Sequence, residues 1–269
     1  MNKLKNPPGG FDRAELSETK KLGLSASAVS PNFEIQDQAR EFLVSIEANH
    51  DINTGGENLV HRPAPSKRTR NRKKVIYGDD FEFGGYRYLI NSKPSGIYLR
   101  IMTTMMEQLE VCLVRWSRVF MLRFDLHTYQ HTHSNQIITK FRKRLFERIK
   151  WRYQVDEIGF CWVREQERAK AQHYHFVIFL DGDRIRHSSK LNRIIKDAWE
   201  TYDGNNHMPV IPRPFVFIDT HEAKKKAVYR ISYLAKARGK GYRPPQTKDY
   251  GSSRMKIKGG IDDVKETRQ

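Results

Sequence analysis

Cysteine is scarce: Cys112 and Cys161 are the only two in 269 residues, and no Cys-x-x-Cys pair occurs. That argues against a disulfide framework and a thiolate zinc site, and fits a reducing cytoplasm. No apolar run approaches the ~20 residues that span a bilayer, and the N-terminus lacks a signal-peptide pattern, so no membrane partner is expected. Internal repeats are missing, and so is any ATPase motif, so strand unwinding would have to come from a host helicase. Acidic residues are also in deficit: 31 Asp+Glu against 49 Lys+Arg leave a formal net charge of +18. Solvated surfaces usually balance their signs, so this surplus implies a polyanionic partner, nucleic acid before an anionic membrane.

What is present divides unevenly along the chain. Residues 1–75 read as a low-order basic extension, with Pro7-Pro8-Gly9-Gly10, Gly55-Gly56 and Pro63-Ala64-Pro65. One amphipathic helix is expected at 32–47, where Phe33, Ile35, Ala39, Phe42, Leu43 and Ile46 keep helical spacing. The run Lys67-Arg68-Thr69-Arg70-Asn71-Arg72-Lys73-Lys74 suits a linker that touches a phosphate backbone. Residues 76–254 form the expected folded domain, and 255–269 a flexible tail.

Within that domain, 81–94 is aromatic-rich and unassigned. A helix from Ile97 to Trp116 follows, with Leu99, Met102, Met106, Leu109 and Leu113 as its core stripe. Residues 118–127 read as a strand with Arg123, Asp125 and His127 on one face and Leu122, Phe124 and Leu126 on the other. The histidines of the following loop, His131 and His133, read as solvated. Ser134 or Asn135 should cap a helix to about Arg152, whose exposed face crowds Lys140, Arg142, Lys143, Arg144 and Arg148. A helix starting at Ser188 or Ser189, a strand at 215–218 and a helix over 222–237 complete the pattern.

The stretch with the most chemistry is Gln172-His173-Tyr174-His175-Phe176-Val177-Ile178-Phe179-Leu180. Side chains alternate faces along a strand, so His173 and His175 project together, ~7 Å apart. Two such imidazoles can share a metal ion given a third ligand; the plain alternative is two satisfied histidines at a sheet edge. The preceding strand, 158–167, should pair with this one through a loop of about five residues, setting Glu167 opposite His173 and Glu165 opposite His175. Either carboxylate would complete a His-His-carboxylate set able to hold a divalent ion and a phosphate oxygen. In the last helix Tyr229 and Tyr233 are four residues apart, with Lys236 three further on, hence on one side. Such tyrosines often just pack against a sheet; the functional reading is a phenolic nucleophile with a cation steadying phosphate charge.

The order strand, helix, strand, strand, helix, strand, helix over 118–238 implies an α+β fold: a central antiparallel sheet flanked by helices. A His-x-His strand followed by Tyr-x-x-Lys on a helix resembles the HUH endonucleases, the rolling-circle replication initiators and relaxases. More narrowly, Arg123-Phe124-Asp125-Leu126-His127, Trp162-Val163-Arg164-Glu165, His173-Tyr174-His175-Phe176 and Tyr233-Leu234-Ala235-Lys236 look like the YagK/YfjJ C-terminal family of inoviruses and enterobacterial prophages. The resemblance covers about residues 97–254. It implies an HUH-like (RRM-like) sheet and a bacterial-host cytoplasm. His173 and His175 would be ligands of Mg²⁺ or Mn²⁺, with Glu165 as the preferred third and Glu167, Asp125 or His127 as alternatives. It further implies Tyr233 as nucleophile with Lys236 assisting, and Tyr229 as a second candidate, as in two-tyrosine initiators. The expected activity is DNA nicking and joining through a 5′-phosphotyrosine on a single-stranded or extruded origin, with a host helicase or polymerase as partner. Arg123, Lys140, Arg142, Lys143, Arg144, Arg164 and Arg230 are the expected nucleic-acid contacts. The competing expectation is a non-catalytic nucleic-acid-binding accessory or regulatory protein, and a weaker one an RNA-directed sheet protein.

Overall fold

A computed structural model describes residues 31–51, 74–166 and 171–256. Most of the N-terminal extension, the basic run up to Lys73, Glu167 and the tail from 257 lie outside the described residues. In chain order the elements are α1 (Pro31–Asp51), β1 (Val75–Ile76), β2 (Asp80–Phe83), β3 (Tyr86–Leu89), β4 (Ile97–Tyr98) and α2 (Leu99–Arg115). Then come β5 (Val119–His127), α3 (Gln136–Tyr153), β6 (Gly159–Glu165), β7 (His173–Asp181), α4 (Ser188–Glu200), β8 (Phe215–Ile218), α5 (His221–Ser232) and β9 (Tyr250–Ser252). This is the expected α+β fold.

The centre is a five-stranded sheet in the order β8-β5-β7-β6-β9, with every neighbouring pair antiparallel. β7 lies in the middle and is nearly all apolar because both faces are covered. Its even-numbered Phe176, Ile178 and Leu180 join a core with Phe141 and Leu145 of α3 and Ile195 and Trp199 of α4. Its odd-numbered Val177 and Phe179 join a second core with Met106 and Leu109 of α2 and Ala227 and Ile231 of α5. A two-sided core of this kind leaves functional polar groups only where a helix stops short of the strand end.

The unassigned 81–94 stretch turns out to hold a hairpin, β2–β3, whose turn residues Gly84 and Gly85 take φ of 59° and 76°. Two consecutive positive-φ residues make a primed turn matching the right-handed strand twist, which a β-branched residue there would strain. α1 docks beside this hairpin: Ile35 and Ala39 are buried, and the Phe42 ring lies 4.4 Å from that of Phe83. The start of α4 differs from expectation. Its cap is His187, whose ring nitrogen accepts a hydrogen bond from the Ser189 amide, leaving Ser188 as the first helical residue. Asn135 precedes α3 as expected, but its side chain makes no cap bond there and instead donates to the Lys248 carbonyl.

One ion pair lies inside the odd-face core. Lys224 Nζ of α5 sits 2.9 Å from Glu110 of α2, both side chains only 3% exposed. Burial raises the Glu110 pKa while Lys224 opposes it. Removing one partner strands the other in a dry interior. Lys224→Met is therefore expected to cost about 3–5 kcal/mol in urea unfolding, with most of it recovered in Lys224→Met/Glu110→Leu. A single variant within 1 kcal/mol of wild type would contradict this.

Candidate metal centre and tyrosine

The register of three strands builds the site. β7 carries His173 and His175; β5 sets His127 opposite His173 and Asp125 opposite His175. β6 sets Glu165 opposite His173 and Val163 opposite His175. The pairing is thus two residues away from the expected one, because the connection runs from 166 to 172 rather than over about five residues. A two-residue slip preserves the face, so Glu165 still lies with the histidines. All these odd-numbered side chains emerge on one face, at the end of the sheet beyond Val177.

Side-chain geometry then sorts their roles. Glu165, His173 and His175 offer one ligand atom each, all within 4.8 Å of one another. Glu165 Oε2 is the meeting point, 3.5 Å from His173 Nε2 and 3.2 Å from His175 Nε2. Asp125, one of the alternative third ligands, lies on the far side of His175, its Oδ1 2.7 Å from Nδ1. It therefore orients the ring instead of joining the three ligand atoms. A carboxylate at Nδ1 favours the proton there, so the Nε2 lone pair points at Oε2. Both ring nitrogens are buried and face carboxylate oxygens, Nδ1 that of Asp125 and Nε2 that of Glu165. Two imidazole lone pairs and a carboxylate oxygen aimed at one point repel unless a cation or a proton sits between them, so the donor set fits a divalent ion.

Electrostatics agree with that. Burial pushes the Glu165 carboxyl up, but contacts from His173 and His175 and the Lys240 ammonium outweigh it, holding the group well below the ordinary carboxylate range. Burial lowers the His175 pKa, and the contacts with Asp125 and Glu165 override this to raise it. His127, the other alternative ligand, is outside the three-residue group; its ring is 5.3 Å from His173 and its pKa is lowered by burial and by His173. His131 and His133 pair with each other, ring centres 4.8 Å apart, away from this group.

The expected helix over 222–237 is shorter than its apolar spacing suggested. α5 ends at Ser232, and Tyr233–Ala235 tighten into a 3₁₀ turn. At this change of pitch the Tyr233 ring meets the His175 ring edge-on, centroids 5.4 Å apart. Arg123 lies over the Tyr233 ring at 4.2 Å, and the Lys236 ammonium is 5.0 Å from its centre. Tyr229, one turn earlier, is 47% exposed. The two tyrosines thus have different surroundings, although their spacing suggested one face.

Of the expected nucleic-acid contacts, Lys140 and Lys143 are exposed on α3, and Arg142, Arg144 and Arg230 are half-buried. Arg123 belongs to the site: it pairs with Asp125 at 3.3 Å and covers Tyr233. Arg164 has to be corrected. It is 2% exposed and donates to the Thr132 carbonyl and to Gln166, because its face of β6 is covered by the loop before α3.

Lys240 was missed entirely. Its side chain is 1% exposed, and Nζ sits 2.5 Å from Glu165 Oε1 while also donating to the Lys236 carbonyl. Gly239 makes this approach feasible: its φ is 72°, and an added Cβ would stand 3.3 Å from the Glu165 Cβ. With Oε1 held by Lys240, Oε2 is left for the histidines. Lys240→Met is accordingly expected to weaken Mn²⁺ binding about 10–100-fold by titration calorimetry. Unchanged affinity would remove Lys240 from this role. A Gly-Lys-Gly segment in a basic tail carries no periodic signal that could have marked it.

Residues 84–207 match the model of the YagK/YfjJ C-terminal domain. The matched span contains Asp125, Glu165, His173 and His175 and ends before Tyr229, Tyr233, Lys236 and Lys240. No curated protein and no solved structure matched the chain. Among the described residues, no helix is long and apolar enough to cross a membrane.

Proposed function

We propose that this protein, whose residues 84–207 carry a YagK/YfjJ C-terminal domain, is a metal-dependent nicking and joining enzyme for DNA, the HUH-type replication initiator of a phage or prophage element. The observation that carries the reading is the Tyr233 ring lying 5.4 Å from that of His175, beside three converging ligand atoms. His173 Nε2, His175 Nε2 and Glu165 Oε2 would hold Mg²⁺ or Mn²⁺, imidazole favouring Mn²⁺, and the ion would supply Lewis-acid polarisation of the scissile phosphate. Tyr233 Oη attacks phosphorus as the P–O3′ bond breaks. The phenol gives up its proton and the departing 3′ oxygen takes one, so the products are a 5′-phosphotyrosine and a free 3′-OH. Arg123 and Lys236, both against the Tyr233 ring, offset charge developing on the phosphate oxygens. Reversal by a later 3′-OH reseals the strand without ATP, because the phosphotyrosine keeps the phosphodiester's energy.

The test is an adduct assay. A single-stranded origin fragment labelled on its 3′ side should become covalently attached to the protein in Mn²⁺, and the product should vanish with EDTA or in His173→Ala. A non-catalytic nucleic-acid binder would retain the DNA under both conditions and form no adduct, which would sink the enzymatic reading.

A further inference from the structure

Away from the metal centre, a groove of about 1540 Å³ opens beside the edge strand β9, between the start of α2, the exposed side of α3 and the loop 241–249. None of Glu165, His173, His175 or Tyr233 lines it. Its volume exceeds the ~300–1,000 Å³ of small-molecule pockets, so a polymer segment is the better fit. Its charge is one-signed. Among the described residues, Asp249 is the sole acidic one lining it and is engaged by Arg243 at 2.8 Å, leaving Arg100, Arg142, Lys248 and Arg254 to face the space. Rings are interleaved with these cations: Tyr98, Phe146 and Tyr250 are half-buried in the wall, and Arg142 lies over the Phe160 ring.

From this geometry we infer that the groove is a binding site for a single-stranded polynucleotide, separate from the metal centre. Guanidinium groups among half-exposed rings grip phosphates and stack bases at once. A duplex hides its base faces, so it cannot stack them on these rings. The groove also connects physically to the catalytic candidates. The loop forming one wall starts next to Lys240, which holds Glu165, and its Asp249 carbonyl accepts from the Arg164 amide at 2.7 Å. Groove-lining Trp162 is three residues from Glu165, ~10 Å along β6. Trp162 and Glu165 project from opposite faces of β6, so this spacing is a distance along the strand only. That the polymer is DNA rests on the proposed nicking activity; the groove itself does not.

The experiment is fluorescence anisotropy of the full chain with a labelled 20-nucleotide oligothymidylate in EDTA, which removes any metal contribution. Arg100→Ala/Arg142→Ala/Arg254→Ala should lower affinity at least tenfold and make the log–log salt slope shallower by about 2, as three lost phosphate contacts require for a single strand. Lys190→Ala/Arg193→Ala/Lys196→Ala, exposed on α4 and outside the groove, should leave both nearly unchanged. Equal loss in the two triple variants, or tighter binding of duplex than of single strand, would overturn the proposal. Photocrosslinking of a 5-bromodeoxyuridine oligonucleotide to the wild-type protein gives a readout independent of variant folding. Crosslinks at Tyr98, Phe146 or Tyr250 support the site, and crosslinks confined elsewhere overturn it. Tyr233→Phe should bind the oligonucleotide normally, so a failure of nicking and a failure of the groove are told apart.

Discussion

Tyr233→Phe is expected to abolish the covalent protein–DNA adduct, by about 10³-fold or more, while Tyr229→Phe leaves the first cleavage within a few-fold of wild type. The asymmetry follows from position. Tyr233 stands at the change from α5 to a 3₁₀ turn, where its ring touches the His175 ring and lies against Arg123 and Lys236. Tyr229 is nearly half exposed one turn earlier. Phenylalanine keeps the ring, its edge contact with His175 and its cation–π partners, so the change removes the attacking oxygen with little else. Adduct formation and melting temperature, measured on the same preparations, separate chemistry from folding. Loss of the adduct in Tyr229→Phe with its survival in Tyr233→Phe would reverse the assignment.

Mn²⁺ affinity is expected to fall by about tenfold per pH unit once the solution is more acidic than the raised His175 pKa, and to drop about 100-fold or more at any pH in Glu165→Gln. Burial lowers the His175 pKa but Asp125 and Glu165 overcome it, so the imidazole holds its proton above the ordinary ~6.5. A protonated ring cannot ligate, and metal binding must expel that proton. The metal-free fold responds in the opposite sense. Because the folded His175 pKa is raised, its stabilising contribution is complete below ~6.5 and is lost as pH rises through the folded value. Glu165 and Asp125 have depressed values despite burial, through His173 and His175 and through His175 respectively, so their contribution is present above ~4 and lost as pH falls further. With EDTA the melting temperature should therefore peak in mildly acidic buffer, and with excess Mn²⁺ the optimum should move to neutral pH or above. The same optimum with and without metal would show that His175 is not displacing a proton for an ion. Glu165→Gln keeps the side-chain volume but removes the charge, so retained Mn²⁺ affinity would exclude Glu165 as a ligand.

The placement of strands and helices was largely legible in the amino-acid order because each rests on local periodicity. The alternation through β5 put Arg123, Asp125 and His127 on one face, and all three are found there, at the candidate site. The His-x-His spacing of β7 set both imidazoles on one side, and the apolar stripes of α2 and α3 became core. Alternation has a period of two, so it determined which face each side chain takes, and that much survived a register two residues from the expected one. It could not determine which carboxylate meets which histidine, because that depends on loop length, and a loop has no period.

Tertiary structure decided the rest. Arg164 was an expected nucleic-acid contact, yet the loop before α3 covers it and the guanidinium bonds Thr132 and Gln166 instead. α5 ends at Ser232 although apolar spacing continues, because the chain there turns to pair the Lys236 backbone with Ile97. That turn brings Tyr233 to His175. Lys240 is the clearest case: as one cation in a Gly-rich basic tail it carried no signal, and only the fold-back of residues 239–252 against β6 buries it on Glu165. The periodic part of the chain thus specified a sheet with two histidines facing one way. The register of β6 on β7 specified how the carboxylate meets them, and contacts between residues tens of positions apart, made by loops and helix ends, specified the lysine that holds it and the tyrosine beside them.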